Sequence, residues 1–337
     1  MSLTPPLLFS SLVGFEPRLA SLDYDVTDTG GGDAITITGS NLAGAISCTQ
    51  GGTACAITSN TDTSLTFTSV AKVAGSYPVV VTTAAGASNA LALESWDPTL
   101  IPSIDGYFDS RKGLVVDGGL NVLSWTEQSR AEVYAAGVAP HAPLKVNNIF
   151  AGTKPAVRYA QPGGLTNAQW VLGTSRLLPA GSSFFFVGKW TSADAASSYP
   201  GNAPLTVIGG TGPTSNSMFG ASADSLYMTQ IDGVWMVTQR GSGLNDDVTR
   251  LCGSTHALAD GVIKIYVGTT QQGADNTVPY TPAGTRWNLI GAGAYDATNG
   301  DDGFVGDLGA TVIVDAVISG ANMTKLHTWA GAGFGAA

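Results

Sequence analysis

Carboxylates, histidines, cysteines and ring side chains are the groups whose types and spacing bear on chemistry in this sequence. Glycoside hydrolysis needs two carboxylates flanking the scissile bond. The glutamates are Glu16, Glu94, Glu127 and Glu132, and none follows residue 132. The histidines His141, His256 and His327 are scattered, without H-E-x-x-H or zinc-finger spacing. There is no G-x-S-x-G nucleophile elbow and no Walker-type phosphate loop. The sequence therefore predicts a protein that is not an enzyme, with no catalytic residue to name.

Two other groups suit binding rather than catalysis. The run Asp296-Ala-Thr-Asn-Gly-Asp-Asp-Gly303 lies between two predicted strands. Calcium takes several oxygen ligands from a flexible loop, and Asp296, Asn299, Asp301 and Asp302 could supply them. Asn-Gly and Asp-Gly are also turn formers, so a solvated hairpin tip is the competing reading. Trp190, Tyr199, Trp235 and Tyr295 are the rings placed to stack on sugar faces, whereas Trp125, Trp287 and Trp329 fall at core positions.

The cysteines allow a geometric test. Gly51-Gly52 suits a two-residue hairpin turn, because glycine supplies positive φ at both central positions. Gln50 then faces Thr53, Thr49 faces Ala54, and Cys48 faces Cys55 on one side of the hairpin, within disulfide reach. Such a bridge would contribute about 2–3 kcal/mol and imply an oxidising compartment. The alternative is a pair of small buried thiols. Cys252 reads as a buried thiol.

The elements that must carry these groups are strands. Only 12% of the 337 residues are charged and 44 are glycine, which is the composition of many short strands joined by tight turns. Long amphipathic helices need glutamate and lysine on their wet faces, and glutamate is nearly absent. Net charge is −10, with two bases against eight acids in residues 1–97 and 13 bases against 17 acids in the rest. Neither part offers the basic stripe that nucleic acid demands, and an anionic membrane surface is excluded on the same ground. No apolar run reaches the roughly 18–20 residues that span a bilayer. Met1–Phe9 lacks a basic n-region and is broken by two prolines, so it does not read as a secretory signal.

Residues 1–17 read as an irregular arm, either strapped to its own domain or docking on a neighbouring subunit. From residue 18 to 95, alternating runs recur at roughly ten-residue spacing, the signature of a β-sandwich. Asp33-Ala-Ile-Thr-Ile-Thr-Gly-Ser-Asn-Leu, Gly51-Gly-Thr and Gly75-Ser-Tyr-Pro-Val-Val-Val-Thr-Thr occur in that order. Together they resemble the IPT/TIG immunoglobulin-like module. Trp96-Asp-Pro-Thr-Leu-Ile-Pro-Ser is a proline-punctuated junction too short for a flexible tether.

Residues 100–337 have their own landmarks: Gly106-Tyr-Phe-Asp-Ser, Trp125-Thr-Glu-Gln-Ser, Gly152-Thr-Lys-Pro-Ala-Val-Arg-Tyr and Ser182-Ser-Phe-Phe-Phe-Val. Gly303-Phe-Val-Gly-Asp-Leu-Gly-Ala-Thr-Val-Ile-Val follows, then Met323-Thr-Lys-Leu-His-Thr-Trp. This series resembles the concanavalin A-like lectin/laminin-G sandwich, a jelly roll whose last strand leads into a short helix. Thr153 before Lys154, and Ala310-Thr311 at a usually acidic position, depart from that pattern. Glucanases on this fold carry an E-x-D-x-E strand, which is missing here. The expected fold class is thus all-β, an immunoglobulin-like sandwich followed by a larger jelly-roll sandwich.

Both resemblances imply a surface protein. With no secretory signal, the leading expectation is a structural protein on the surface of a tailed-phage virion, as capsid decoration, head fibre, or tail or baseplate component. Its partners would be other virion proteins or copies of itself, with surface polysaccharide as ligand. The rival is a secreted bacterial carbohydrate-binding adhesin at the cell surface, and a polysaccharide-processing enzyme ranks behind both.

Overall fold

The computed structural model describes residues 15–136, 142–159, 181–189, 246–257, 259–277 (Asn276 by its backbone) and 306–337. It describes the strands Val171–Leu172, Leu205–Gly209, Asn216–Ser222, Ser225–Gln230, Arg286–Ile290, Ala292–Ala294 and Gly300–Gly303 by their backbone alone. The expected arm falls largely outside these residues. The chain divides into two compact units, Met1–Trp96 and Asp97–Ala337.

In the first unit, short alternating runs give strands with one buried face, because successive side chains point to opposite sides of a strand. Ile35 and Ile37 of Ala34–Ser40 pair with Phe67 and Leu65 of Ser64–Thr68, and all four are fully buried. Val79, Val81 and Leu93 bury the facing layer. The strand order is Arg18–Leu22, Ala34–Ser40, Ser64–Thr68, Thr53–Asn60, Ser47–Gln50, Gly75–Thr83, Leu91–Ser95 and Val26–Thr27. All neighbours are antiparallel except the last pair, which is parallel. Thr53–Asn60 serves both layers: residues 53–55 pair with Ser47–Gln50, and residues 56–60 pair with Ser64–Thr68 across a register shift at Ile57/Ser59.

The Gly51-Gly52 turn has φ of 55° and 77°, as a two-residue hairpin requires. A side chain at Gly51 would also lie 2.6 Å from the Tyr77 ring. The register that follows is Gln50 with Thr53, Thr49 with Ala54 and Cys48 with Cys55.

The second unit is a sandwich with a helix on one outer face. One sheet runs Leu144–Phe150, Lys154–Tyr159, Gly306–Val314, Gly181–Lys189, Arg250–Ala257, Val262–Val267 and Thr270–Thr277, with Ile104–Asp109 also paired to Gly306–Val314. The other runs Leu114–Val116, Val122–Thr126, Val133–Ala136, Val171–Leu172, Arg286–Ile290, Leu205–Gly209, Asn216–Ser222 and Ser225–Gln230. Phe108 of the first sheet meets Trp125 and Tyr134 of the second edge-on, at centroid distances of 5.4 and 4.7 Å. These residues join Phe184, Phe186, Cys252 and Ile313 in the inter-sheet core.

Gly181–Lys189 and Gly306–Val314 are buried along nearly their whole length, with the apolar stretches 184–187 and 312–314 at their centres and ends. The helix Gly320–Phe334 lies against Gly306–Val314, where a Cβ at Gly309 would stand 2.6 Å from the Phe334 ring. Trp329 packs on Tyr107 at 5.7 Å, and Phe334 on Phe150 at 5.6 Å. Close approach leaves no room for a Cβ at Gly253, which would stand 2.0 Å from the Phe185 ring. Ser319 caps the helix by accepting from the Asn322 N–H at 3.3 Å. Gly335, at φ 72°, ends it in the left-handed conformation. The protein is all-β apart from this helix and the 3₁₀ turn Pro98–Leu100 among the described residues.

Candidate functional site

The landmarks of the second unit converge on one polar region at the start of its sandwich. Val122–Thr126 runs into the turn Glu127-Gln-Ser-Arg, and the Glu127 carboxylate is fully buried. One of its oxygens accepts the Tyr107 N–H at 2.7 Å and the Ser129 N–H at 2.6 Å, together with the Ser129 hydroxyl. The other accepts the Arg130 N–H at 2.7 Å. A buried carboxylate with its lone pairs filled this way folds a turn against a neighbouring strand.

Asp105 lies next to it, buried, with Arg130 at 2.6 Å. Burial raises the Asp105 pKa; the Arg130 charge opposes this, and the carboxylates of Glu127 and Glu132 add to it. Four positions along the strand, Asp109 accepts the Tyr107 hydroxyl at 2.7 Å and grips Arg111, with Nε at 2.9 Å and Nη2 at 2.7 Å. The guanidinium then spreads over Trp329 and Phe334, 5.3 and 4.5 Å from their ring centres. At the far end of Gly306–Val314, Asp307 pairs with Arg158 through two contacts of 2.8 Å. Asp97 caps the 3₁₀ turn by accepting the Thr99 N–H.

Each buried carboxylate of the second unit among the described residues therefore holds a backbone, a cap or an arginine. Proton transfer to a leaving group needs a carboxyl in hydrogen-bond reach of substrate. The Glu127 and Asp109 oxygens are turned inward instead. The outer face nearby has a different character. Val115, Leu123 and Val133, on three adjacent strands, are 52%, 51% and 64% exposed, so apolar groups lie open on that sheet.

Of the ring residues expected to meet sugar, Trp190, Tyr199, Trp235 and Tyr295 all lie outside the described residues. So do Asp296 and Asn299 of the expected calcium loop. Asp301 and Asp302 are not in a loop tip: they belong to the strand Gly300–Gly303, where Asp301 pairs with Gly293. Among the described residues no three His, Cys, Asp or Glu side chains converge as a metal site.

Trp125 and Trp329 are fully buried core residues, and Trp287 sits in Arg286–Ile290. His256 is buried in Arg250–Ala257, His327 lies on the helix against Gly268, and His141 is outside the described residues. Cys48 and Cys55 are free thiols facing each other, and Cys252 is buried in the inter-sheet core. The polar region around Asp105 and Asp109 was missed in the sequence; its signal was two aspartates flanking an apolar triplet, with Arg111 and Arg130 to pair them.

Residues 17–94 match the IPT/TIG domain. No curated protein matches the chain. Among solved structures, the chain is similar to the Ruminococcus gnavus IT-sialidase CBM40 bound to alpha2,3 sialyllactose, with 12% identity and a TM-score of 0.36 over 44% of this chain and 83% of that one. It is also similar to the Trypanosoma rangeli sialidase in complex with sialic acid, with 11% identity and a TM-score of 0.41 over 88% of this chain and 51% of that one. A leech intramolecular trans-sialidase is similar at 10% identity and a TM-score of 0.36, over 44% of this chain and 23% of that one. The chain thus spans about half or less of these two enzymes. Likenesses at this level carry no functional argument. No helix among the described residues is long and apolar enough to cross a membrane.

Proposed function

We propose that the protein is a non-catalytic, carbohydrate-binding surface protein of the adhesin type, with the IPT/TIG domain as a spacer and the second sandwich as the glycan reader. The observation that carries this reading is the engagement of the buried carboxylates. Glu127, Asp105, Asp109 and Asp307 sit on the very landmarks that resemble a lectin-like domain, and each is tied to backbone or arginine. A sandwich built this way supports recognition by surface groups and leaves its interior acids without a catalytic task. Calcium would be held by Asp296, Asn299, Asp301 and Asp302.

A glycan array probed with the full chain tests the reading. Saturable binding to one structural class of polysaccharide is the expected result, and no binding to any class would overturn it. Placement on a phage particle rests on the sequence reading alone. Mass spectrometry of purified particles tests it directly: the chain among the virion proteins supports it, and its absence refutes it.

A further inference from the structure

The hairpin of the first unit brings two thiols together at a position with unequal access. Cys48 on Ser47–Gln50 and Cys55 on Thr53–Asn60 are cross-strand partners, fixed by the Gly51-Gly52 turn. Antiparallel partners have Cα atoms about 4.5–5.5 Å apart, within the span that disulfides bridge. Cys48 is fully buried beside Val81, whereas Cys55 is partly open to solvent. The Cys55 thiol lies 3.8 Å from the Thr53 carbonyl. Lys72 is anchored at the same place, its Nζ donating to Thr53 Oγ1 at 2.6 Å and lying over the Tyr77 ring. The two thiols also differ in acidity. The hydrogen bond between them raises the Cys48 pKa, and burial adds to the rise. That same bond holds Cys55 below the ordinary thiol range, against its partial burial and with help from the Gln50 backbone and the Lys72 charge.

We propose that Cys48 and Cys55 are a dithiol modification site, in which Cys55 attacks a small-molecule disulfide and Cys48 closes the cross-strand bond. With oxidised glutathione as oxidant, the Cys55 sulfur bonds to one glutathione sulfur and the other leaves as a thiol. Cys48 then loses its proton, attacks the Cys55 sulfur and expels the second glutathione. Two electrons and two protons pass from the protein thiols to two glutathione thiols. The closed bond staples the Ser47–Gln50/Thr53–Asn60 hairpin within one layer, one residue before Ala56, where Thr53–Asn60 begins to pair with Ser64–Thr68 of the other layer.

The test uses the full chain as wild type, Cys48→Ala and Cys55→Ala, each treated with oxidised glutathione, trapped by alkylation and mapped by peptide mass spectrometry. Wild type should lose two hydrogens in a linked Cys48/Cys55 peptide and retain no glutathione. Cys48→Ala should retain one glutathione on Cys55, and Cys55→Ala should react at Cys48 at least roughly tenfold more slowly, because that thiol is buried. An unlinked wild-type peptide overturns the proposal, and that arm needs no substitution to fold. Equal glutathione capture by the two variants overturns the assigned order of attack.

Discussion

In the first unit, Ala34–Ser40 and Ser64–Thr68 bury every second residue, whereas in the second unit Gly181–Lys189 and Gly306–Val314 are buried on both faces. The first unit has two layers and closes its sheets on each other. The second adds the helix Gly320–Phe334, so its central strands are covered twice and Trp329 packs behind them. The polar groups follow the same division. Asp33 of the first unit accepts the Thr27 hydroxyl and the Asp28 N–H, both at 2.9 Å, to close one local loop. Glu127, Asp105 and Asp109 of the second unit tie segments together, and the Asp109–Arg111 pair extends the tie to the helix. Double coverage gives the second unit central strands that are buried on both faces.

The comparison can be broken first at the helix. Trp329→Ala removes a fully buried indole from the layer the first unit lacks. It should destabilise the second unit by about 3–5 kcal/mol. Hydrogen exchange should show the loss in Gly181–Lys189 and Gly306–Val314 and leave Ala34–Ser40 unchanged. Equal losses in both units would mean that their cores are not separate.

A smaller effect is expected at the buried turn. Glu127→Ala strips the acceptor from the Tyr107, Ser129 and Arg130 N–H groups. The loss should be about 3 kcal/mol by chemical denaturation, because buried donors are left unpaired. Glu127→Gln, which keeps one acceptor oxygen, should recover part of it.

Oxidation acts only on the first unit. Closing the Cys48–Cys55 bond should stabilise that unit by about 2–3 kcal/mol relative to its reduced form. Calorimetry with and without a reductant would show a shift in one transition and none in the second unit. A shift in the second transition would place the oxidation elsewhere, at Cys252.

The smallest effect is at Asp105. Its folded pKa is raised above the ordinary carboxyl value of 3.8, so the folded state holds the proton more tightly than the unfolded chain. Asp105 therefore contributes more stability below the unfolded pKa, and loses it as pH rises through the window up to the folded pKa. The stability difference between wild type and Asp105→Asn should fall as pH increases across that window. A difference that stayed flat or rose would remove burial as the dominant cause.

These particular residues show what could be read in advance. The Gly51-Gly52 turn and the Cys48/Cys55 register were legible because a two-residue hairpin is decided by adjacent positions. The alternating runs of the first unit were legible for the same local reason. The ties between Tyr107 and Glu127 and between Asp105 and Arg130 were not, since their partners lie 20 and 25 residues apart and meet only once the strands have paired. The turn-forming chemistry of Asp301 and Asp302 is local, whereas the pairing of Gly300–Gly303 with Ala292–Ala294 is decided by the neighbouring strand and was not legible in advance. The rings expected to meet sugar, Trp190, Tyr199, Trp235 and Tyr295, lie outside the described residues.

Recognition without turnover has two halves, and one experiment measures both. The full chain is incubated with the polysaccharide class it retains best, chosen from a capsular and sialylated panel, and bound ligand and newly released reducing ends are measured in the same sample over time. A non-catalytic glycan-binding protein should show saturable binding with no reducing ends above the protein-free control. Reducing ends that accumulate in proportion to protein would contradict it.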